Sequence, residues 1–323
     1  MNRIAARRWP LPARALAWAS TAALLLASLE LASWALQALQ RWSAPLPAFL
    51  ANCLYLYLHV PFFCAVLVAV EKLHPGSGAS RHRFQAMLCW ACYVPLAVAS
   101  AQIVGALAAA VPWAPLIRIQ PDSQSLEGPL GLAFHAAVVV SSFVVFDFFM
   151  YWFHRLQHAV PALWAFHSSH HAIRGVSAVE SYHHPLEDVF RIPFVTLPVA
   201  LLYSVDVPRL ALLSSFVAAW ALFSHMDSSF SLGRIRLLFV DNHYHRIHHS
   251  LLAEHHNKNF AGFFSLWDRL FRTQYLPLPG AQVPPTGLAD SPHPGSLADY
   301  LCAPLRQLAA RRRQARAAGG TRH

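Results

Sequence analysis

Charged residues are scarce in this sequence. Of its 323 residues, 12% are Asp, Glu, Lys or Arg and 56% are hydrophobic, and Lys72 and Lys258 are its two lysines. A soluble globule of this length needs more polar side chains to cover its surface. The composition therefore disfavours a soluble domain and favours a membrane protein.

Disulfide and nucleotide-binding signals are also missing. Cys53, Cys64, Cys89 and Cys92 lie in apolar stretches and Cys302 lies near the end, so no disulfide framework is predicted. No GxGxxG motif follows a strand, so the usual nucleotide-binding site is not predicted.

The net charge of +10 lies largely in the terminal segments. It indicates attraction to anionic lipid headgroups rather than to nucleic acid.

Apolar segments long enough to cross a bilayer are present instead. About 20 helical residues cover a hydrocarbon core of about 30 Å. Four segments reach this length, namely 16–39, 49–70, 86–113 and 130–153. A fifth segment, 189–223, is interrupted by Asp206 and Pro208 and predicts a re-entrant helical hairpin. We expect an all-α polytopic membrane protein with about four transmembrane helices, this hairpin and a cytosolic, histidine-rich helical cap.

Composition also divides the chain. Residues 1–128 predict a transmembrane scaffold, residues 129–276 a catalytic domain that holds most histidines, and residues 277–323 a flexible tail rich in Pro, Ala and Arg. Arginines at the N-terminus and the basic loop near Lys72 predict that both lie in the cytoplasm. The histidine-rich part then faces the cytoplasm. Heavy use of Ala and Arg suggests a bacterium, and hence its inner membrane.

Three histidine groups recur at helical spacing. Asp147, Tyr151, His154 and His158 follow one another at four, three and four residues, so they share one helix face. Two HxxHH motifs follow, and their histidines are His167, His170, His171, His245, His248 and His249. Burying so many potential cations without a partner would be costly. The repeated spacing therefore predicts a metal site.

Eight imidazoles supply more ligands than one tetrahedral zinc ion uses, so two ions are predicted. Imidazole suits iron, zinc, copper and nickel, and the ligand type alone does not choose among them. A structural histidine cluster and a membrane zinc hydrolase stay open as alternatives. A hydrolase usually needs a general-base Glu, as in HExxH, and this motif is absent. A transporter would place ionisable groups on broken helices near the bilayer midplane.

The order HxxxH, HxxHH and a distant HxxHH resembles the fatty acid hydroxylase and sterol desaturase superfamily. The run His184-Pro185-Leu186-Glu187 is similar to the His-Pro-x-Glu element of that family. The run Trp267-Asp268-Arg269-Leu270-Phe271 is similar to its closing motif. The resemblance covers residues 147–273. It identifies the chain as a member of these membrane histidine-box di-iron oxygenases.

The resemblance implies a centre of two iron ions (Fe²⁺/Fe³⁺) that uses dioxygen to hydroxylate or desaturate a fatty acyl or sterol-like lipid. It implies an external electron donor such as ferredoxin or cytochrome b5. The implied ligands are His154, His158, His167, His170, His171, His184, His225, His245, His248 and His249. For His183 and His243, each beside a better-placed histidine, a supporting or a surface role is left open.

Four carboxylates are candidate supports for these histidines, namely Asp147, Glu187, Asp188 and Asp268. A metal-bound imidazole usually donates its second ring N–H to a carboxylate or a carbonyl, which fixes the tautomer. Asp147 precedes His154 by two turns on the same helix face and is expected to support it. Beyond the metal centre, no catalytic residue is predicted.

Overall fold

A computed structural model of the protein describes residues 47–77, 83–110, 114–119, 128–205, 210–276, 284–291 and 294–319, with four isolated positions before residue 47. These residues are mostly helical, in agreement with the predicted class. Of the first predicted membrane segment, 16–39, these four isolated positions alone are described, and the break at Asp206 and Pro208 lies outside the described residues.

Among the described residues, three helices are long and apolar enough to cross a membrane. They are α1 (Ala48–Leu73), α2 (Arg83–Ala110) and α3 (Gly128–Ala159). They coincide with the second, third and fourth predicted segments. Helix α3 continues past the predicted end at Phe153, so that His154 and His158 extend the membrane helix itself.

Short helices form a cap at the end of α3. They are α4 (Pro161–His171), α8 (Asn242–His248) and α9 (Leu266–Leu270), with 3-10 turns at Gly233–Leu237 and Ala253–His255. Helix α4 starts at Pro161, whose fixed φ angle suits the first helical turn. Helix α8 is capped by Asp241, which accepts a hydrogen bond from the Tyr244 backbone N–H at 2.9 Å.

The segment predicted as a hairpin consists of several short elements. They are α5 (Glu187–Arg191), a π-helical turn (Ile192–Thr196), α6 (Leu197–Leu202), β2 (Tyr203–Val205) and α7 (Leu210–Ser224). Strand β1 (Ile117–Ile119) pairs with β2 in parallel, with Ile117 opposite Tyr203. This small pair is a departure from a purely helical fold. Membrane insertion of the hairpin stays a prediction, as do the domain boundaries at 128 and 276.

The C-terminal segment was expected to be a flexible tail, but residues Leu297–Gly319 form a helix, α10. It packs against α4 and joins the main core through Tyr300, which is fully buried. That core also contains Phe63 and Leu67 of α1 and Cys89 of α2. The core therefore connects the membrane helices to α10, which in turn packs against α4, the helix that carries the first HxxHH motif.

Candidate metal centre

Nine of the ten predicted ligand histidines meet in two adjoining groups. The first group consists of His154, His158, His167, His171 and His248. The second group consists of His170, His225, His245 and His249. Within each group, one possible ligand atom of every residue lies within 4.8 Å of all the others. This arrangement offers two separate ligand sets.

The HxxHH motif of α4 contributes to both groups. The Nε2 atoms of His167 and His171 lie 3.2 Å apart in the first group, whereas His170 belongs to the second. On an α-helix, the residue four positions after a given one is rotated from it by about 40° round the axis. The residue three positions after it is rotated by about 60° in the opposite direction. The spacing therefore directs the outer two histidines to one group and the middle one to its neighbour.

The HxxHH motif of α8 mirrors this division. The Nε2 atoms of His245 and His249 lie 3.1 Å apart in the second group, and His248 belongs to the first. The two groups also touch, because the rings of His171 and His249 stack with their centroids 4.4 Å apart. Each short helix thus holds ligands for both sets and fixes their separation.

Backbone carbonyls determine which ring nitrogen of several histidines carries the hydrogen. In the second group, Nδ1 of His170 donates to the Tyr182 carbonyl at 2.9 Å, and Nδ1 of His225 donates to the Ala221 carbonyl at 2.7 Å. A carbonyl only accepts, so both Nδ1 atoms are protonated and both Nε2 atoms carry a lone pair in the neutral ring. These two Nε2 atoms face each other at 3.1 Å. Two lone pairs at this distance repel unless a cation lies between them.

The first group contains the same arrangement. Nδ1 of His154 donates to the Phe260 carbonyl at 2.7 Å, and Nδ1 of His167 donates to Oε2 of Glu187 at 3.0 Å. Their Nε2 atoms lie 3.0 Å apart, again lone pair to lone pair.

Two further observations fit a metal ion. With metal–nitrogen bonds of about 2.1 Å and angles of about 90–100°, two imidazole ligands of one ion place their nitrogens about 3.0–3.2 Å apart. This is the range seen in both groups. In addition, His248 donates through Nδ1 to the Lys258 carbonyl, while its Nε2 is buried and has no hydrogen-bond partner among the described residues. The donor set therefore suits a divalent transition metal in each group.

Burial keeps these rings uncharged. It is the main cause that holds the pKa of His170, His245 and His249 well below its usual range, and repulsion between neighbouring rings adds to it. Burial likewise lowers the pKa of His225 and of His248 to about 3. The rings are neutral at physiological pH and available to bind a metal.

Among the four predicted supporting carboxylates, Glu187 is the one that contacts histidines of a group directly within the described residues. Its Oε2 accepts from Nδ1 of His167 at 3.0 Å, from Nδ1 of His183 at 3.3 Å and from the Gln157 amide at 2.6 Å. Burial acts to raise the pKa of Glu187, but attraction to the two histidines outweighs it and holds the pKa well below its usual range. The carboxylate is thus ionised and fixes the tautomer of His167.

Asp147 was expected to support His154, but its carboxylate is directed elsewhere. It accepts from the backbone N–H groups of Phe263 and Phe264 at 3.0 and 2.8 Å, and from the Trp267 indole at 3.0 Å. Asp147 therefore fastens the chain after the last histidine motif to helix α3. This pairing satisfies a carboxylate that would otherwise be a costly bare charge in an apolar helix.

The remaining two carboxylates also act at a distance from the rings. Asp268 accepts from the Phe260 backbone N–H at 2.8 Å and from the Tyr244 hydroxyl at 3.1 Å, and so steadies the residue whose carbonyl holds His154. Asp188 pairs with Arg191.

His184 was expected to be a ligand, but it lies outside both groups. Its Nδ1 accepts from the Leu186 backbone N–H at 3.2 Å, and its Nε2 donates to the Leu301 carbonyl at 3.3 Å. Both ring nitrogens are therefore used within the protein. His183 and His243, whose roles the sequence left open, differ from each other. The ring of His183 stacks on His170 and hydrogen-bonds to Glu187, whereas Nε2 of His243 hydrogen-bonds to the Ser228 carbonyl.

An ion-pair network joins the membrane helices to helix α8. Glu71 near the end of α1 pairs with Arg83 at 3.3 Å and accepts from the Asp227 backbone N–H at 2.9 Å. The Asp227 carboxylate pairs with Arg246 at 2.7 Å and accepts from the Ser77 backbone N–H at 2.9 Å. Asp227 follows the ligand His225 closely, and Arg246 adjoins His245. The loop between α1 and α2 thereby positions two histidines of the second group.

Sequence reasoning did not find several of these supporting groups. Every residue has a backbone carbonyl, so the residue type does not identify the carbonyls that accept from the histidines, namely those of Tyr182, Ala221, Lys258 and Phe260. Asp241, however, follows a familiar rule, because an Asp immediately before a helix is a preferred cap.

Comparisons with known proteins find similarity over the part of the chain that contains both histidine groups. The fatty acid hydroxylase family model matches residues 139–273. Alkylglycerol monooxygenase of Homo sapiens is 29% identical over 133 residues, which are 41% of this chain and 29% of that protein. The Danio rerio alkylglycerol monooxygenase is 30% identical over 132 residues, with the same shares.

Ornithine lipid hydroxylase OlsE of Rhizobium tropici is 25% identical over 218 residues, which are 66% of this chain and 65% of that protein. The chain thus spans less than two thirds of the length of each of these relatives. No solved structure matched the chain.

Proposed function

Since residues 139–273 belong to the fatty acid hydroxylase family, we propose that the protein is a membrane di-iron monooxygenase that hydroxylates a C–H bond in a chain of a membrane lipid. The reaction is R–H + O₂ + 2 e⁻ + 2 H⁺ → R–OH + H₂O. The observation that carries the proposal is that each histidine group contains two Nε2 atoms whose lone pairs face each other. The two atoms lie 3.0 Å apart in the first group and 3.1 Å apart in the second.

Iron is the metal we infer for both groups. Imidazole ligands suit iron, and the family match favours it over zinc, copper and nickel. When bound, the iron pair would supply the reduction of dioxygen and the cleavage of the C–H bond. The five histidines of the first group would hold one ion and the four of the second group the other.

The role of the protein is to orient these ligands and to exclude water. Glu187 and the backbone carbonyls hold the rings in the tautomer that presents Nε2. Phe260 lies against His154 and His158, and Trp164 covers His158 from another direction. These aromatic rings limit the access of water to the first group, which favours oxidation of the lipid over loss of reducing equivalents to solvent.

A lipid substrate is consistent with the position of the site. Helix α3 is long and apolar enough to cross the membrane, and its last turns carry His154 and His158. The site therefore adjoins the bilayer, and a lipid chain can reach it without passing through water. We propose that it faces the cytoplasm and that the 189–223 hairpin lines the entry. The names of the relatives, alkylglycerol monooxygenase and ornithine lipid hydroxylase, favour a polar lipid as substrate and hydroxylation over desaturation.

These 323 residues contain no GxGxxG motif for a nicotinamide or flavin nucleotide. We therefore include an external donor such as a ferredoxin or a cytochrome b5 in the proposal.

Labelled dioxygen tests the proposal. Purified protein loaded with iron would be placed in bilayer discs of native lipids with a ferredoxin, its reductase and ¹⁸O₂, and the lipids examined by mass spectrometry. We expect a lipid that gains one labelled oxygen atom, and no such product from His170→Ala. A hydrolysed lipid without labelled oxygen, formed equally with zinc, would overturn the proposal in favour of a hydrolase.

A further inference from the structure

Helix α10 is anchored by its first half to the helix that carries the first HxxHH motif. Tyr300 is fully buried, and the Leu301 carbonyl accepts from Nε2 of His184 at 3.3 Å. The Gln307 side chain accepts from the Ser168 hydroxyl of α4 at 3.0 Å. The position of α10 relative to the metal ligands is therefore fixed.

This anchor lies close to the second histidine group. The ring of Tyr300 contacts the ring of Tyr182 with centroids 5.0 Å apart. The Tyr182 carbonyl in turn accepts the hydrogen bond from Nδ1 of His170 at 2.9 Å. Two residues thus connect α10 to a metal ligand. A protein bound at residues 311–316 would lie about 17–24 Å further along the helix from Tyr300, at 1.5 Å per residue.

The second half of α10 is strongly basic. Arg311, Arg312, Arg313 and Arg316 are exposed, and none has a carboxylate partner among the described residues. The sequence contains no Asp or Glu after Asp299. Basic side chains near a helix C-terminus do favour the helix dipole, by about 0.3–1 kcal/mol each. Four of them without an acidic neighbour still create a surface that attracts an anionic partner.

The same segment is a poor membrane anchor. Helices that lie in the bilayer interface present Trp, Phe or Leu opposite their basic face. After Leu308, α10 contains only Ala, Arg, Gln and Gly. The arginines at three consecutive positions also point in different directions round the helix, at about 100° per residue. This distribution suits the curved acidic surface of a protein better than insertion into a flat bilayer.

We propose that the basic end of α10, residues 311–316, is the docking surface for an acidic electron-transfer protein. The inference rests on the hydroxylase function proposed above, because that reaction consumes two electrons, which the proposal takes from an external donor. The surface serves electron delivery and takes no part in holding the metals.

The test compares two reductants. Iron-loaded full-length protein in detergent would be mixed anaerobically with a reduced acidic [2Fe–2S] ferredoxin or with dithionite, and the reduction of its iron followed by stopped-flow absorbance. In the variant R311Q/R312Q/R313Q/R316Q, we expect reduction by ferredoxin to slow by about tenfold or more at low ionic strength. Reduction by dithionite should be unchanged. Added salt should slow the wild-type protein and hardly affect the variant.

A charge-matched control separates docking from net charge. The variant K72Q/R118Q/R234Q/R269Q removes four exposed positive charges from other parts of the chain. We expect it to keep the wild-type rate with ferredoxin. An equal slowing in the control, or a wild-type rate in the α10 variant, would overturn the proposal. So would an α10 variant that loses binding to phosphatidylglycerol vesicles and keeps its rate with ferredoxin.

The proposed function can fail separately. If dithionite-reduced wild-type protein reacts with dioxygen and yields no hydroxylated lipid, the hydroxylase assignment is wrong, whereas the ferredoxin rates still report on docking.

Discussion

Replacing Glu187 with Gln should weaken metal binding at the first histidine group. Oε2 of Glu187 accepts hydrogen bonds from His167, His183 and Gln157, and Oε1 accepts from the His184 backbone N–H. A Gln side chain has one acceptor oxygen, so at least one of these buried N–H groups would face an NH₂ group. Such a loss costs about 1–3 kcal/mol. If the NH₂ group faces His167, its ring must change tautomer and can no longer present the Nε2 lone pair.

The expected result is a loss of iron affinity of about 10–100-fold, the usual effect of removing a group that orients a metal ligand. A tenfold change corresponds to about 1.4 kcal/mol, so this range agrees with the hydrogen-bond cost. The assay is anaerobic competition between the protein and a ferrous chelator. Asp188→Asn is the matched control, because Asp188 is the adjacent buried carboxylate and pairs with Arg191 rather than with a grouped histidine. Equal iron retention in the two variants would refute the reasoning.

Two other substitutions distinguish structural from metal-binding roles. His184→Ala should keep the wild-type iron content, because both ring nitrogens bond within the protein; elemental analysis that finds iron lost would restore His184 as a ligand. Gly76→Ala should destabilise the protein by about 1–3 kcal/mol, because its Cβ would lie 2.3 Å from Oδ1 of Asp227. Gly105→Ala should not destabilise it, because the added Cβ would meet no atom of the described residues within 4 Å. Thermal unfolding in detergent compares the two, and equal melting temperatures would contradict the role of this contact.

The membrane helices among the described residues could be predicted from the sequence, since length and hydropathy determine which segments can cross a bilayer. The predicted 49–70 and the observed Ala48–Leu73 nearly coincide. The C-terminal helix was missed because the Pro, Gly and Ala content of the segment after Pro277 is typical of a loop. Its Ala, Arg, Leu and Gln residues are strong helix formers, and Tyr300 supplies the buried anchor.

The histidine spacing indicated the site but not its internal division. The spacing of histidines shows which of them share one face of a helix. It does not show that His170 belongs to the second group, because that depends on the position of His225 opposite it in the folded chain. The predicted partner of Asp147 also differs from the observed ones, because helical spacing suggested that Asp147 supports His154. Its actual partners, such as Phe263, are more than a hundred residues away in the chain. Contacts of this kind depend on tertiary structure, which a helical periodicity does not contain.

The most direct test of the central claim is the iron content of purified protein and of the variant His225→Ala, measured by elemental analysis together with Mössbauer spectroscopy. The two histidine groups predict one iron in each, both oxidised by dioxygen. They also predict that His225→Ala loses the iron of the second group and retains that of the first. A wild-type protein that binds a single iron, or that binds zinc while its iron does not react with dioxygen, would contradict the account.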